Sequence, residues 1–127
     1  AERLPFEDAT FDGLTIGFGI RNVADLDVGL REMARVLKPG GRTAILEFSQ
    51  PHHFLMRTPY LFYFRNVLPN IGRLISKDPS AYRYLYESVM AFPEGESFCD
   101  CMREAGFGDV IRRPLTFGIA TIYVGHK

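Results

Sequence analysis

The sequence has 127 residues, the length of one domain, of which 46% are apolar and 24% charged. Fifteen basic residues balance fifteen acidic ones, so the composition shows no basic surface for binding nucleic acid. No apolar run approaches the roughly 20 residues that a membrane-spanning helix needs. The two cysteines, Cys99 and Cys101, lack the spacing of a metal site and are interpreted as ordinary reduced thiols.

The first part of the sequence predicts a β-α-β unit. An apolar run over 11–18 is bounded by glycines, as a buried strand is. Asp25 is predicted to cap a helix, because apolar residues recur after it at helical spacing as far as Leu37. "KPGG", at 38–41, is predicted to stop the helix and to turn the chain into a second buried strand over 42–49. We expect the two strands to be parallel, with a right-handed crossover.

Aromatic residues crowd the middle of the sequence, over 51–92. Pro59, Pro69 and Pro79 are predicted to cut this segment into short helices, because proline lacks the N–H that a helix interior requires. One of these helices is predicted over 82–90.

The last part of the sequence predicts a helix and then a hairpin. The helix is expected over 94–105, with Gly106 as its stop. Residues 109–127 predict two strands that meet around Gly118, and Pro114 marks the first of them as an edge strand or a broken one.

The stretch "GFGIRN", at 17–22, lies between the first strand and its helix and lacks one glycine of the dinucleotide fingerprint G-x-G-x-x-G. Asn22 stands where the third glycine would pack helix on strand, and a helix that begins near Asp25 is displaced from the glycines. Glu47, which ends the next strand, lies farther along the chain than the roughly 20 residues expected for a ribose-binding acid. The dinucleotide interpretation is therefore disfavoured.

The alternative is that Gly17 and Gly19 end an inner strand of an open sheet, where ligands bind just outside the carboxyl ends of the strands. Arg21 and Asn22 would then project into the crevice. An ordinary exit from strand to loop, with Arg21 in solvent, is also left open.

Motifs throughout the sequence resemble the class I S-adenosylmethionine-dependent methyltransferases. "LPF...FD" near the start and "LKPGG" are shared by many of these enzymes. "FGIRNV", "EFSQP", "LPNIG" and "DPSAYRYLYES" together resemble one family among them, the ubiquinone/menaquinone-biosynthesis C-methyltransferases.

The resemblance implies an α/β fold, namely the C-terminal half of a doubly wound Rossmann-like sheet. This half would contain the last four strands, one of them antiparallel, and a helical substrate lid over 51–92. Residues 1–127 would be the C-terminal part of one methyltransferase domain, without its N-terminal glycine-rich cofactor half. The strand at 14–18 would then have an unpaired edge, so we expect this chain alone to be inactive, to bind the cofactor weakly and to self-associate.

The function implied by the resemblance is S-adenosylmethionine-dependent C-methylation of a polyprenylated hydroquinone, such as demethylmenaquinol, in menaquinone or ubiquinone biosynthesis. A methyltransferase for another small lipophilic substrate and a non-catalytic accessory fragment are the alternatives. The implied location is cytoplasmic, and the resemblance allows peripheral contact with the inner membrane and a homodimer. Neither a nucleic acid nor a metal is expected as a partner.

The resemblance also implies site residues. Ala1 matches a position beside the adenine of S-adenosylmethionine, and Gly17 matches a position that contacts this cofactor. Arg21 and Asn22 match a pair near the quinone ring. Because a guanidinium with a pKa above about 12 is a poor base, Arg21 is expected to stabilise a phenolate or a hydroxide, and Asn22 to orient a water.

Other side chains are weaker candidates. Tyr82 and Tyr84 are candidates for binding the quinone oxygens, with simple packing as the alternative. His52 and His53 follow the second strand and are candidates for a base, with solvent-facing loop histidines as the alternative. Glu47 could face the crevice, but no cluster of ligands accompanies it, so no metal site is predicted.

Overall fold

The computed structural model describes residues 2–51, 54–75 and 80–127. The strands are β1 (Phe11–Gly17), β2 (Leu37–Phe48), β3 (Gly108–Leu115) and β4 (Ala120–His126). The helices are α1 (Leu26–Val36), α2 (Phe54–Phe62), α3 (Leu68–Ile75), α4 (Ser80–Ala91) and α5 (Glu96–Glu104). A 3-10 turn, Ile20–Asn22, follows β1, another, Thr116–Gly118, joins β3 to β4, and a π-helical segment, Tyr63–Val67, joins α2 to α3.

The four strands form one mixed sheet in the order β1-β2-β4-β3. β1 and β2 are parallel, with Ile16 opposite Ile45, whereas β4 is antiparallel to both β2 and β3. One strand therefore runs against the other three, as predicted. In the part of the chain that the structure describes, β1 lies at the edge of this sheet and pairs on one side only.

Helix α1 forms as its sequence pattern predicts. The Asp25 carboxylate accepts a hydrogen bond of 3.1 Å from the N–H of Val28 and so caps the helix. Leu30, Met33 and Ala34 are buried against the sheet, which confirms the apolar stripe.

The predicted turn at 38–41 is only partly correct. The helix ends at Val36, before "KPGG", and Leu37 already pairs with Phe11. The pairing then moves to Gly13 opposite Arg42, so residues 38–41 form a bulge inside β2. The bulge is stable because Gly40 and Gly41 exchange backbone hydrogen bonds of 2.8 Å with Lys127 at the end of the chain.

The hydrophobic core lies between the sheet and helices α1 and α5. Along β2 the side chains of Thr43, Ile45 and Glu47 are fully buried, while those between them are only half-buried. Phe98 of α5 packs on Tyr123 of β4, with ring centroids 4.6 Å apart. Thr43 and Glu47 are polar side chains in this buried row, and the partners of Glu47 are described with the candidate site.

Helix α5 ends as predicted at Gly106. This glycine has φ of 107° and donates its N–H to the carbonyl of Arg103, and the N–H of Phe107 donates to that of Met102. These bonds form a Schellman motif, which requires the left-handed conformation that glycine adopts without strain. The hairpin β3–β4 that follows confirms the two predicted strands, and Pro114 lies in the edge strand β3.

The prediction that prolines divide the middle segment is wrong for Pro59 and Pro69. Residues 54–75 are helical throughout, with Pro59 inside α2 and Pro69 in the first turn of α3. A proline is tolerated in a first helical turn, and Pro69 directly follows the π-helical segment Tyr63–Val67, which ends with the N–H of Leu68 donating to the carbonyl of Tyr63. Pro79 lies outside the described residues, and the helix predicted over 82–90 is confirmed as part of α4.

Among the described helices, none has both the length and the apolar character that crossing a membrane requires.

Candidate active site

The carboxyl end of β1 leads into a strained turn. Phe18 has φ of 54°, which residues other than glycine rarely adopt. Its N–H donates to the carbonyl of Leu46 at 2.8 Å, and its ring packs on that of Phe48 with centroids 4.4 Å apart. Ile20, fully buried, anchors the 3-10 turn that follows. Tertiary contacts therefore impose this turn, and strain of this kind is common at functional sites.

Arg21 and Glu47 form an ion pair where the parallel strands β1 and β2 end. Nη1 of Arg21 lies 2.7 Å from Oε1 of Glu47, and the two side chains are 10% and 0% exposed. The same Nη1 donates to the carbonyl of Phe18 at 2.6 Å, and the guanidinium lies over the Phe48 ring, 5.4 Å from its centre. The alternative in which Arg21 lies in solvent is therefore wrong.

The carboxylate of Glu47 has further donors. Its Oε1 accepts the N–H of Phe48 at 3.0 Å, and its Oε2 accepts the N–H of Arg21 at 3.4 Å. The sequence alone did not pair Arg21 with Glu47. One signal could have indicated the pair: an acidic residue ends one strand and an arginine follows its parallel neighbour, and the ends of such strands meet at one edge of the sheet.

Part of the Arg21 guanidinium is left without a partner. Its Nε is buried and makes no hydrogen bond within the described ranges. Buried donors are almost always paired in folded proteins, so an exception of this kind calls for an explanation, such as a bound water or ligand.

A cleft of about 180 Å³ lies beside Arg21. Ile20 and Arg21 line one side. Ser88, in the last turn of α4, and Phe92, which follows the helix, line the other side. The volume is below the roughly 300–1,000 Å³ of pockets for drug-sized ligands, so the cleft would enclose only part of a ligand of that size.

Asn22 lies on the 3-10 turn after β1, and its side chain binds helix α4 of the predicted lid. The hydroxyl of Tyr84, on α4, donates to Oδ1 of Asn22 at 2.8 Å. Tyr84 is 55% exposed, so this bond is accessible to solvent. Of the predicted site residues, the structure thus brings together Arg21, Asn22 and Tyr84 around one turn.

Tyr82 lies elsewhere on the same helix. Its ring packs against Gly72 of α3 so closely that a Cβ on Gly72 would overlap it. This contact is the packing alternative for Tyr82, and its contact with a substrate stays a prediction.

Gly17 lies at the exposed end of β1, and a Cβ built on it would meet no atom within 4 Å. The backbone there is open to a ligand. Ala1, His52 and His53 lie outside the described residues.

The segment between β2 and α2 is fixed by polar contacts. The N–H of Gln50 donates to Oε2 of Glu94 at 2.7 Å, and the hydroxyl of Tyr60 donates to the carbonyl of Ser49 at 3.2 Å. Burial raises the pKa of Tyr60, so this phenol stays protonated and keeps donating. Tyr60, near the end of α2, is thereby joined to the residue that follows β2.

No alternative chemistry stands out in the part of the chain that is described. It contains no group of three or more His, Cys, Asp and Glu residues that could hold a metal ion. Burial raises the pKa of the thiols of Cys99 and Cys101, so neither is an activated nucleophile.

Solved structures with the same arrangement of strands and helices define the fold class. A SAM-dependent methyltransferase of Thermotoga maritima, titled a possible histamine N-methyltransferase, has a TM-score of 0.67 at 22% identity, over 99% of this chain and 60% of that one. Phosphoethanolamine N-methyltransferase 2 of Haemonchus contortus, solved with S-adenosyl-L-methionine, has a TM-score of 0.62 at 14% identity, over 96% and 34%. The predicted Rossmann-like methyltransferase fold is confirmed.

The chain belongs to the ubiE/COQ5 methyltransferase family, whose model matches residues 1–127. The ubiquinone/menaquinone biosynthesis C-methyltransferase UbiE of Geobacter sulfurreducens is 56% identical over 126 residues, which are 99% of this chain and 49% of that protein. The demethylmenaquinone methyltransferase of Geobacillus kaustophilus is 49% identical over 127 residues, covering 100% and 54%. The chain thus spans about half the length of the curated relatives it matches. The predicted family, a family of SAM-dependent methyltransferases, is confirmed.

Proposed function

We propose that the protein, when complete, transfers the methyl group of S-adenosylmethionine to a ring carbon of a polyprenylated hydroquinone of the demethylmenaquinol type. The names of its relatives, which refer to ubiquinone, menaquinone and demethylmenaquinone, support this substrate class. The observation that carries the proposal is the buried Arg21–Glu47 pair at the carboxyl ends of β1 and β2, where Arg21 also lines a cleft of about 180 Å³.

The end of β1 fits the cofactor, because the space beside Gly17 is open and its backbone would hold S-adenosylmethionine. As the family resemblance implies, Ala1 would lie beside the adenine. When bound, this cofactor supplies an electrophilic methyl group.

The chain's own residues would prepare the methyl acceptor. The ring carbon of a hydroquinone is a weak nucleophile until a neighbouring hydroxyl loses its proton to a water. Once this carbon has accepted the methyl group, the proton that it carried must also leave to water, which restores the aromatic ring. Arg21, nearly buried and held in place, would stabilise the resulting phenolate, since fixed donors act strongly where water is excluded. Arg21 would not take the proton itself, because a guanidinium remains charged.

Asn22 would act on a neighbouring water or ring oxygen. Its Oδ1 is occupied by Tyr84, so its amide N–H groups remain available as donors. Tyr84 would then hold the lid over the turn, which excludes water from the cleft.

The domain organisation is part of the proposal. Residues 1–127 would form the C-terminal part of one methyltransferase domain, and the activity would need the rest of the domain that the relatives possess. The unpaired side of β1 supports this view, because an apolar strand edge recruits a partner. This chain alone would then be inactive, bind the cofactor weakly and associate with itself.

We further propose a cytoplasmic protein that contacts the inner membrane peripherally. Residues 54–75 contain no acidic residue and carry Arg57, Arg65 and Arg73. The same segment exposes large apolar side chains, among them Phe62 and Leu74. A basic helix with exposed apolar residues is typical of segments that lie on anionic membranes.

The test uses a chimera in which residues 1–127 are joined to the part of the Geobacter sulfurreducens relative that lies outside the match. We expect this chimera to bind S-adenosylmethionine and to methylate demethylmenaquinol at carbon, as mass analysis of the product would show. Methylation of another lipophilic acceptor only would favour the first alternative. A folded chimera that does not bind the cofactor would favour a non-catalytic module and contradict the proposal.

A further inference from the structure

Glu47 binds Arg21 in an unusual manner. A carboxylate commonly takes two parallel hydrogen bonds from a guanidinium. Here only Nη1 of Arg21 reaches the carboxylate, at 2.7 Å from Oε1, while Oε2 accepts the backbone N–H of the same residue at 3.4 Å. Glu47 thus holds both the side chain and the backbone of Arg21 and engages one nitrogen of the guanidinium.

The opposite edge of the guanidinium carries a buried donor that has no partner within the described ranges. Nη1 donates to both Glu47 and the carbonyl of Phe18, whereas the buried Nε has no hydrogen-bond partner among the residues that the structure describes. The Nε–Nη2 edge of arginine is a planar pair of donors that matches an oxyanion or a water.

Burial makes the arrangement rigid. Glu47 is fully buried, and removing the cation from a buried carboxylate strongly destabilises the folded protein. The ion pair between Arg21 and Glu47 is therefore expected to stay formed. The ring of Phe48 supports the guanidinium from one side. Arg21 therefore cannot swing into solvent without leaving Glu47 uncompensated.

We infer that Glu47 is a positioning residue for methyl transfer, which holds Arg21 by Nη1 so that the Nε–Nη2 edge receives the oxygen of the methyl acceptor. This inference rests on the proposed function. Glu47 acts through Arg21 and does not itself touch the acceptor. Its role is to keep the free edge of the guanidinium in one place as charge develops on the oxygen.

The first test compares Glu47→Gln with the unmodified chimera. The amide keeps the size of the side chain and loses the charge that holds Arg21. We expect kcat to fall by about 10²-fold, the loss that a displacement near 1 Å can cause, while the affinity for S-adenosylmethionine stays the same. The matched control is Glu96→Gln, which removes a carboxylate that pairs with Arg103 on the exposed surface of α5. An unchanged kcat in a folded Glu47→Gln protein would overturn the inference.

A second variant separates positioning from a purely structural role. Replacing both partners, as Arg21→Met with Glu47→Leu, removes both charges and leaves an apolar pair of similar size, which folded proteins often tolerate. We expect this double variant to fold and to have lost methyl transfer. Retained activity would show that the pair serves stability alone.

A spectroscopic measurement keeps the inference testable if the substrate class is wrong. In the ¹H–¹⁵N spectrum of the chimera, a held Arg21 should give a resolved Nε–H signal that shifts when a phenolate probe such as 4-nitrophenolate is added. In Glu47→Gln the signal should broaden or disappear. If hydroquinones are not methylated but this difference is seen, the proposed substrate fails and the inference stands. An identical signal and an identical shift in both proteins would overturn the inference.

Discussion

The hydroxyl of Tyr84 donates a hydrogen bond of 2.8 Å to Oδ1 of Asn22, and this bond joins helix α4 to the turn that follows β1. The turn carries Arg21, and α4 contributes to the far wall of the cleft beside it. The position of the lid over the candidate site therefore depends in part on one exposed side-chain contact.

Tyr84→Phe removes this contact and leaves the ring in place. We expect the unfolding free energy to change by less than about 1 kcal/mol, because an exposed hydrogen bond contributes little net stability. The KM of the chimera for the hydroquinone should rise several-fold, since the lid would close less firmly. The control is Tyr63→Phe, on the π-helical segment, and steady-state kinetics compare the two. Equal KM values for both variants would contradict a role for this bond.

Gly72→Ala tests the contact between α3 and α4. Alanine in a helix is ordinarily more favourable than glycine by about 1 kcal/mol. Here the added methyl group would overlap the Tyr82 ring, and overpacking of this kind costs about 1–3 kcal/mol. We therefore expect a lower Tm in thermal unfolding, recovered when Tyr82 is also replaced by Leu. A Tm above that of the unmodified protein would show that the two helices do not pack as described.

Glu32 joins α1 to the segment before β1, and we expect this contact to be sensitive to acid. Its side chain accepts hydrogen bonds from Arg35 and from the N–H of Leu4, which lower its pKa from the ordinary 4.5 to about 2. A carboxyl group whose pKa is lower in the folded state stabilises the fold above its unfolded pKa, and this contribution is lost as the pH falls towards about 2.

The prediction for Glu32→Gln follows from that sign. The variant should have a lower Tm than the unmodified chain at pH 7, and the two curves should converge between pH 4.5 and about 2. Glu104→Gln, on the exposed side of α5, is the control. A constant difference in Tm across this range would mean that Glu32 does not contribute through its charge.

The unpaired side of β1 predicts self-association of the chain. An exposed strand edge pairs with other strands, and a charged side chain on it prevents this. Thr15→Lys, on β1, should therefore keep the chain monomeric at concentrations where the unmodified chain associates, as light scattering would show. The matched control is Ile111→Lys on β3, the opposite edge of the described sheet, which Pro114 already interrupts. Equal effects of both variants would mean that β1 is not the site of association.

Local signals explain what could be predicted of the fold. Asp25 caps α1 and Gly106 ends α5 because each acts on backbone groups within a few residues. The four strands, one of them antiparallel, agree with the resemblance. The bulge at 38–41 could not be foreseen, because its backbone groups bind Lys127 at the far end of the chain. The π-helical segment that precedes Pro69 could not be foreseen either, because its sequence has no distinctive pattern.

The candidate site was predictable in its position but only partly in its partners. The strand ending at Gly17 places Arg21 and Asn22 at the carboxyl edge of the sheet, as its glycines indicated. The pairing of Arg21 with Glu47, and of Asn22 with Tyr84, joins residues far apart in the sequence. Such contacts depend on how β2 and α4 pack, which no local pattern specifies.

Arg21→Lys in the chimera gives the most direct test of the account. Lysine keeps the positive charge but lacks the planar pair of donors of the guanidinium. The variant therefore distinguishes the effect of the charge at residue 21 from the effect of its donor geometry. The measurement is the single-turnover rate of methyl transfer to demethylmenaquinol at saturating S-adenosylmethionine. We predict a rate lower by about 10²-fold or more, the usual loss when a donor to a developing oxyanion is removed, with unchanged cofactor affinity. A rate close to that of the unmodified chimera would contradict the proposal that a held guanidinium stabilises the phenolate.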